Sequence, residues 1–422
     1  MAAAKGRGAA MKPLLPLRRA RGGMLLAATI LMLLAASATL AAARHFVYQS
    51  ERRTEARTVA ALAEAREALL GYAASYPELH PGQGPGYLPC PDAANTGSAP
   101  GVACHARGLA AFGRFPYRTL GLPVPVDGQC LWYAVSGNFK HNPKALRLNW
   151  DSPGQFTVVD TGGRAPGGEN LDAVAALIAP GPPLPGQERP PATTTGPQRC
   201  PGGNAIADLP AFLDRAYGSG SAGDIAIIHG LPGSDANDIV SWLTADDIFD
   251  ILRLRPDFSA TIDAALEAAA TALQARLGDP DFIGAHAETL IGNRAHGRMP
   301  DAVSVAPEAA DIYEHWHDQL RFAACADGNA CLKASLTDSA ASPAEAIVET
   351  CRAIVIFGGQ RRRGEAAQRR RSEDERTDPA QYLEGENLVS YTTGTGDYSG
   401  FRHYAVTDRR RPASEDLLRC IP

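Results

Sequence analysis

Residues 19–46, RARGGMLLAATILMLLAASATLAAARHF, decide how the rest of the chain is read. Residues 24–43 form a run of 20 without a charge. At about 1.5 Å of helical rise per residue such a run reaches about 30 Å, the thickness of a bilayer's hydrocarbon core. Leu25, Leu26, Ile30, Leu31, Leu33, Leu34 and Leu40 favour insertion, and the interleaved alanines dilute that preference. Lys5, Arg7, Lys12, Arg18, Arg19 and Arg21 precede the run without an acid among them. After it, Arg44, Arg52, Arg53 and Arg57 are mixed with Glu51 and Glu55. This asymmetry places the N-terminus in the cytoplasm and everything after Arg44 outside. A cleaved secretory signal is the alternative, with Ala41-Ala42-Ala43 as its small-residue cleavage site. The apolar run exceeds the usual h-region, which favours a retained single-pass helix.

Residues 44–76 contain no Pro, and Gly71 is their only Gly. Ala, Glu and Arg, all good helix formers, dominate. Val59, Leu62, Leu69, Ala73 and Tyr76 recur with heptad-like spacing, so one face is apolar and the other charged. Pro77 is expected to stop the helix. One continuous helix is therefore expected over residues 24–76, its outer half packed on one side only. An amphipathic linker or coiled-coil stalk would satisfy the same periodicity.

The 422 residues have room for one large or two medium domains, and 42 Gly and 32 Pro imply many turns. A formal net charge of −5 argues against a general polyanion binder. None of the eight cysteines lies in a CxxC or zinc-finger spacing. Behind a membrane segment they indicate disulfides in an oxidising compartment. Cys90 and Cys104 are close enough for a local loop, Cys325 and Cys331 flank the turn sequence ADGNA, and Cys351 and Cys420 bracket the last segment. The full connectivity is left open.

Residues 130–136 (CLWYAVS), 156–160 and 174–178 read as strands, and residues 244–252 as a short capped helix. Helix is expected over residues 261–277, 309–324 and 343–351, and strand character returns in CRAIVIFGG, residues 351–359. The expected fold is α+β: a long N-terminal transmembrane and stem helix packed on an antiparallel sheet, with a helical insertion. The expected divisions are a basic leader (1–23), a membrane helix (24–43), the exported stem (44–76), an α+β head (77–255), a mainly helical insertion (256–345) and a return to sheet (346–422). There is also an internal echo. ALIAPGPPLPGQERP followed by DLPAFLD resembles AIVIFGGQRRR followed by DPAQYLEGEN, and turn-rich composition alone could also produce it.

A basic leader, a Gly, a spanning helix and a half-amphipathic continuation together resemble a type IV prepilin or type II secretion pseudopilin. AREALLGYAASYP, GYLPCPD, GRFPYRTLGLPVPVDGQCLWYAVS, LIAPGPPLPGQERP and NDIVSWLTADDIFDIL, in this order, resemble a bacterial group of large pilin-like proteins with prepilin-type N-termini. The resemblance covers residues 21–252 and again 353–387. It implies cleavage after Gly23 by a prepilin peptidase and methylation of Met24 as the first mature residue. It also implies packing against other pilin-like subunits through the N-terminal helix, with the inner membrane as anchor. The family's usual Glu at the fifth mature position is Ala28 here. That carboxylate neutralises a neighbour's terminal amine within the membrane, where an unpaired charge is costly. Its absence is the pattern of a minor, tip-type pseudopilin, which would begin a filament. A helical domain inserted into the head matches tip pseudopilins too.

No P-loop, HExxH, GxSxG or SxxK pattern occurs, so no enzyme is expected and no cofactor is required. His315 and His317 are two apart on an expected helix and point to different faces, unlike a zincin pair. Asp235, Asn237 and Asp238 are oxygen donors of the kind Ca²⁺ takes, but the rest of an EF-hand is missing, so turn and capping roles are expected. Arg361, Arg362, Arg363, Arg369, Arg370 and Arg371 could bind DNA, anionic lipid or an acidic partner. Glu365, Glu373, Asp374 and Glu375 balance them, which equally describes a solvated loop. The expected role is a membrane-anchored, pilin-like structural subunit. A minor pilin acting as adhesin or DNA binder is the alternative, as is a tethered periplasmic protein that is never processed.

Overall fold

The computed structural model describes residues 21–124, 130–166, 172–191, 200–202, 205–231, 235–300, 303–339, 345–361, 368, 372–405 and 416–422. The chain divides into two compact units, Met1–Ala60 and Ala61–Pro422, and helix α1 (Arg21–Leu79) contributes to both. Pro77 does not stop α1, which continues to Leu79. The ring leaves the Ala73 carbonyl without its helical donor, and the Gly86 N–H supplies one at 2.9 Å. Gly86 can turn back to do so because its φ is +104°, a region open to glycine.

In the second unit Leu62, Ala65, Leu69, Leu70, Ala73 and Tyr76 of α1 are buried at helical spacing. They share an apolar cluster with Tyr133, Val135, Val174 and Leu177. Val59, counted with this stripe from the sequence, is exposed. The first sheet contains β1 (Ala111–Arg114), β2 (Trp132–Val135), β3 (Phe156–Val159), β4 (Asp172–Ala179), β5 (Ile225–Ile228) and β6 (Ile239–Thr244). β4 is central and apolar on both faces. Val174, Leu177 and Ala179 face the cluster that holds α1, while Ala173, Ala176 and Ile178 face a second cluster with Leu209 and Phe212 of α2 (Ala205–Phe212). A bulge between Ala173 and Ala175 resets the alternation, so Ala175 joins the α1 side. α3 (Ala245–Leu252) follows β6 directly. Its Thr244 cap accepts from the Asp247 N–H, and the Asp247 carboxylate accepts from the Thr244 N–H at 2.8 Å.

Beyond α3 come α4 (Pro256–Gln274), α5 (Pro280–His286), β7 (Ala287–Ile291), β8 (Arg294–Arg298), α6 (Ala310–Trp316), β9 (Leu320–Cys325), β10 (Leu332–Ser339), β11 (Ile347–Cys351) and β12 (Ala353–Phe357). α7 (Glu373–Thr377), α8 (Gly385–Thr393), β13 (Asp397–His403) and β14 (Leu417–Ile421) complete the chain. The second sheet runs β11-β10-β13-β14-β12-β9-β8-β7.

Three expectations are corrected. The segment 256–345 is not a helical insertion: α4, α5 and α6 are interleaved with β7 to β10, which open a second sheet within it. The helix expected over 309–324 ends at Trp316. Leu320–Cys325 is a fully buried strand between β8 and β12, where a short apolar run can serve either state. Within 343–351, Ile347–Cys351 is strand β11, its β-branched residues paired with β10 despite the Ala- and Glu-rich lead. Nor is the sheet purely antiparallel: β3 pairs in parallel with β5, β10 with β13, and β13 with β14.

The two sheets share one plan. β1, β2, β4 and β6 are successive antiparallel neighbours, and so are β8, β9, β12 and β14. Each sheet also holds a parallel pair, β3 with β5 and β10 with β13, but β3 adjoins β4 whereas β10 and β13 join their ladder through β14. The registers fix an alignment. Arg114 lies opposite Trp132, which faces Ile178, which faces Val240. Arg298 lies opposite Arg321, which faces Ile356, which faces Leu418. On this alignment Ala111, Gly113, Arg114 and Pro116 match the identical residues Ala295, Gly297, Arg298 and Pro300, and Asp238 matches Asp416. The echoed strings therefore occupy equivalent central strands, β4 and β12. A helix covers each ladder on the same side: the upper part of α1 on the first, and Phe258, Ile262, Leu266 and Leu273 of α4 on the second.

Disulfides join Cys90 to Cys104, Cys130 to Cys200, Cys325 to Cys331 and Cys351 to Cys420. Cys351 and Cys420 are 69 residues apart, Cys325 and Cys331 only 6. Loop-closure entropy assigns the first bridge about 4 kcal/mol and the second about 2 kcal/mol. Replacing both members of each bridge by Ala should therefore lower the unfolding free energy more for Cys351/Cys420 than for Cys325/Cys331. Urea denaturation of the two variants checks that order.

Candidate functional site

In the first unit every side chain from Leu26 to Ala43 is exposed, including Ala28. This part of α1 is long and apolar enough to cross a membrane. Its few hydroxyls are satisfied within the helix. Thr29 donates to the Leu26 carbonyl, Ser37 to Leu34 and Thr39 to Ala36, each at 2.9 Å. Such back-bonding is what hydrocarbon demands of a polar side chain. Gly23 and Met24 lie in α1 near its start.

In the second unit the expected anionic-partner patch divides. Arg361 donates to Asp246 at 3.0 Å and lies 4.0 Å from Asp151, half withdrawn from solvent. Burial lowers its pKa, and the charges of Asp246 and Asp151 more than reverse this. It is an internal tie rather than a docking residue. Arg362, Arg363, Arg369, Arg370 and Arg371 lie outside the described residues.

The Ca²⁺ candidates do not converge. Asp235 is exposed, whereas Asn237 and Asp238 are buried. The Asp238 carboxylate accepts from the N–H groups of Gly181 at 3.2 Å and Asp214 at 2.8 Å. In return the Asp214 carboxylate accepts from the N–H groups of Asn237 and Asp238. The Asn237 side-chain amide donates to the Pro182 carbonyl at 2.8 Å. These are loop-joining contacts. Among the described residues no group of three or more His, Cys, Asp or Glu could hold a metal ion. Both histidines of EHWHDQ are buried. His315 Nδ1 accepts from the Leu148 N–H at 3.3 Å and Nε2 meets the Tyr87 hydroxyl at 3.2 Å, while His317 Nδ1 meets the Glu314 carbonyl at 3.0 Å.

The open polar site of this unit was not singled out by the sequence. It is a cleft of two hollows sharing Leu146, Arg147 and Asp318. The smaller, about 330 Å³, is ringed by Arg107, Arg147 and Arg376 with Asn138, Asn149 and Ser152. The larger, about 700 Å³, is lined by His286, Glu288, Arg298, Glu314 and His317. Arg147 is 3.6 Å from Asp318, Asn149 donates to Asp318 at 2.9 Å, and Arg298 donates to Glu288 at 2.6 Å. One wall comes from the loop after β2, and the other from α5, β7, β8 and α6. The cleft thus lies between the two repeated halves. Its residues are scattered through the chain without common spacing. The AxGR string shared by residues 111–114 and 295–298 is the one signal that could have drawn attention to Arg298.

Burial pushes the Asp238 carboxyl up to about 7, against the lowering effect of its N–H donors. A raised carboxyl pKa contributes stability below the unfolded value, and that contribution is lost as pH rises through about 7. Wild-type protein should therefore lose stability between pH 5 and pH 8 through this group, and Asp238→Asn should show a smaller loss over the same interval. Urea midpoints at the two pH values measure the difference. Equal slopes would exclude Asp238 as the source.

Comparison with protein-family models, curated proteins and solved structures finds no match. Function must be argued from the chain's own chemistry.

Proposed function

We propose that this chain is a membrane-anchored, pilin-like structural subunit of the minor or tip type, belonging to a type IV pilus or type II secretion filament. One observation carries the proposal. A single helix has a bare apolar portion of membrane-spanning length at one end, and at its other end supplies the core of a sheet-containing unit. A helix whose only task was to tether would need no buried stripe over Leu62 to Tyr76. A helix whose only task was to support a sheet would not continue as uncovered Leu and Ala. Both properties together suit a subunit that is held in lipid before assembly and packs by the same helix afterwards.

The basic residues before Gly23 keep the leader on the cytoplasmic side, where a prepilin peptidase would cut. Ala28 leaves the mature helix without the carboxylate that pairs with a neighbour's amine, which suits a subunit that starts a filament. The second unit then stands in the periplasm or on the filament, where four disulfides are stable. On this proposal the work of the molecule is packing, without catalysis. Of the six arginines named for a DNA-binding alternative, Arg361 is paired with Asp246 and Asp151, and the other five lie outside the described residues.

Intact-mass analysis of the full chain, co-expressed with a prepilin peptidase and extracted from membranes, tests the proposal. The expected product begins at Met24 and carries one added methyl group. A chain beginning near Arg44 would make it a secreted protein, and an uncut chain would make it a simple anchored one.

A further inference from the structure

The geometry points to the cleft between the two halves as a binding site for an acidic saccharide, a hydroxyl-rich ligand with its negative charge at one end. This goes beyond the assembly role and does not depend on it.

The charge is arranged unevenly along the cleft. At the narrow end Arg107, Arg147 and Arg376 surround about 330 Å³, room for one carboxylate or sulfate group with part of a ring. Guanidinium groups match such anions as planar, two-pronged donors, and Asn138 and Ser152 add neutral hydrogen-bonding groups beside them. Asp318 stands on the shared wall, where Arg147 and Asn149 already offset its charge. At the wide end Glu288, Glu314, His286 and His317 line about 700 Å³. Carboxylates and imidazoles accept from and donate to hydroxyls. Of these, Glu288 and Glu314 carry negative charge and Arg298 pairs with Glu288, so no surplus of cations remains there for a second anionic group, which disfavours a nucleic-acid strand with a phosphate at every step. The wide end offers few apolar side chains, chiefly Leu146, Met299 and Pro300, so it is poorly suited to the side chains of a peptide.

The repeat supplies an independent reason to regard the cleft as built. Arg114 and Arg298 are equivalent residues. Arg114 is buried over the rings of Trp132 at 4.4 Å and Phe212 at 4.7 Å, where it holds the fold together. Its counterpart Arg298 is instead partly exposed, paired with Glu288 and set in the cleft wall. Clefts between two structural halves are a favoured place for ligands.

The test is calorimetric titration of the full chain in detergent with sialyllactose, whose single carboxylate lies at one end of an otherwise neutral sugar, with neutral lactose and with inorganic sulfate. Sialyllactose is expected to bind at least about tenfold more tightly than either of the others. Arg107→Gln and Arg147→Gln should each weaken it by about tenfold; the exposed Arg107 should leave the thermal midpoint unchanged, whereas Arg147→Gln, which takes the ion pair from Asp318, should lower it slightly. Equal binding of the neutral sugar, equal binding of sulfate, or undiminished affinity in both folded variants would overturn the assignment. So would tighter binding of a tripeptide bearing a free C-terminal carboxylate.

Discussion

An antiparallel ladder that is apolar on both faces must be covered on both, and this requirement organises the exported part of the chain. β4, buried from Ala173 to Ala179, and β12, buried throughout, each pair on both sides within their ladders. Each is covered on one side by the helix that precedes its ladder in sequence, α1 for the first and α4 for the second. On the other side each is covered by a segment that follows it, Leu209 and Phe212 of α2 or Tyr382 and Leu383 after α7. Because both helices face inward, the two halves share one continuous apolar cluster, with Trp150 against Trp316 at 4.8 Å and against Phe357 at 5.6 Å.

Features that depend on local pattern were legible in the sequence. The long helix followed from uninterrupted Ala, Leu, Glu and Arg. The strands β2, β3, β4 and β12 followed from short apolar and β-branched runs, and α3 from its Thr-x-x-Asp cap. What failed was decided elsewhere in the chain. LRFAAC has no strong preference of its own and became a strand because β8 and β12 lie on either side. Pro77 should have ended α1, but a glycine nine residues later replaced the lost donor. The helical insertion was misjudged because α4 was taken as the first element of something new. In the structure it stands to the second ladder as the stem stands to the first.

The candidate sites show the same division. Arg361 read as part of a free basic block because Asp151 and Asp246 are more than a hundred residues away in sequence. Asn237 and Asp238 read as oxygen donors, and the partners that occupy them, Gly181, Pro182 and Asp214, belong to other loops. Of the cleft arginines, Arg298 alone carried a signal, its AxGR string. Arg107, Arg147, Arg298 and Arg376 become neighbours only when the halves meet.

The cleft wall differs from its counterpart in the first ladder by one exchange of residues between the copies. In the first ladder the residue opposite Arg114 is Trp132, so the guanidinium lies buried against an aromatic face. In the second ladder the residue opposite Arg298 is Arg321. Two like charges directly across a ladder repel, so both cannot occupy the dry side of the sheet. Arg321 holds the buried place, stacked on Tyr382 at 4.1 Å and donating to the Arg376 carbonyl at 2.6 Å. Arg298 is thereby left to Glu288 and the cleft. The same buried arginine also holds the backbone of Arg376, whose side chain closes the narrow end. The aromatic residue in one ladder and the arginine at the equivalent place in the other thus account for the setting of two of the cationic groups along the cleft wall.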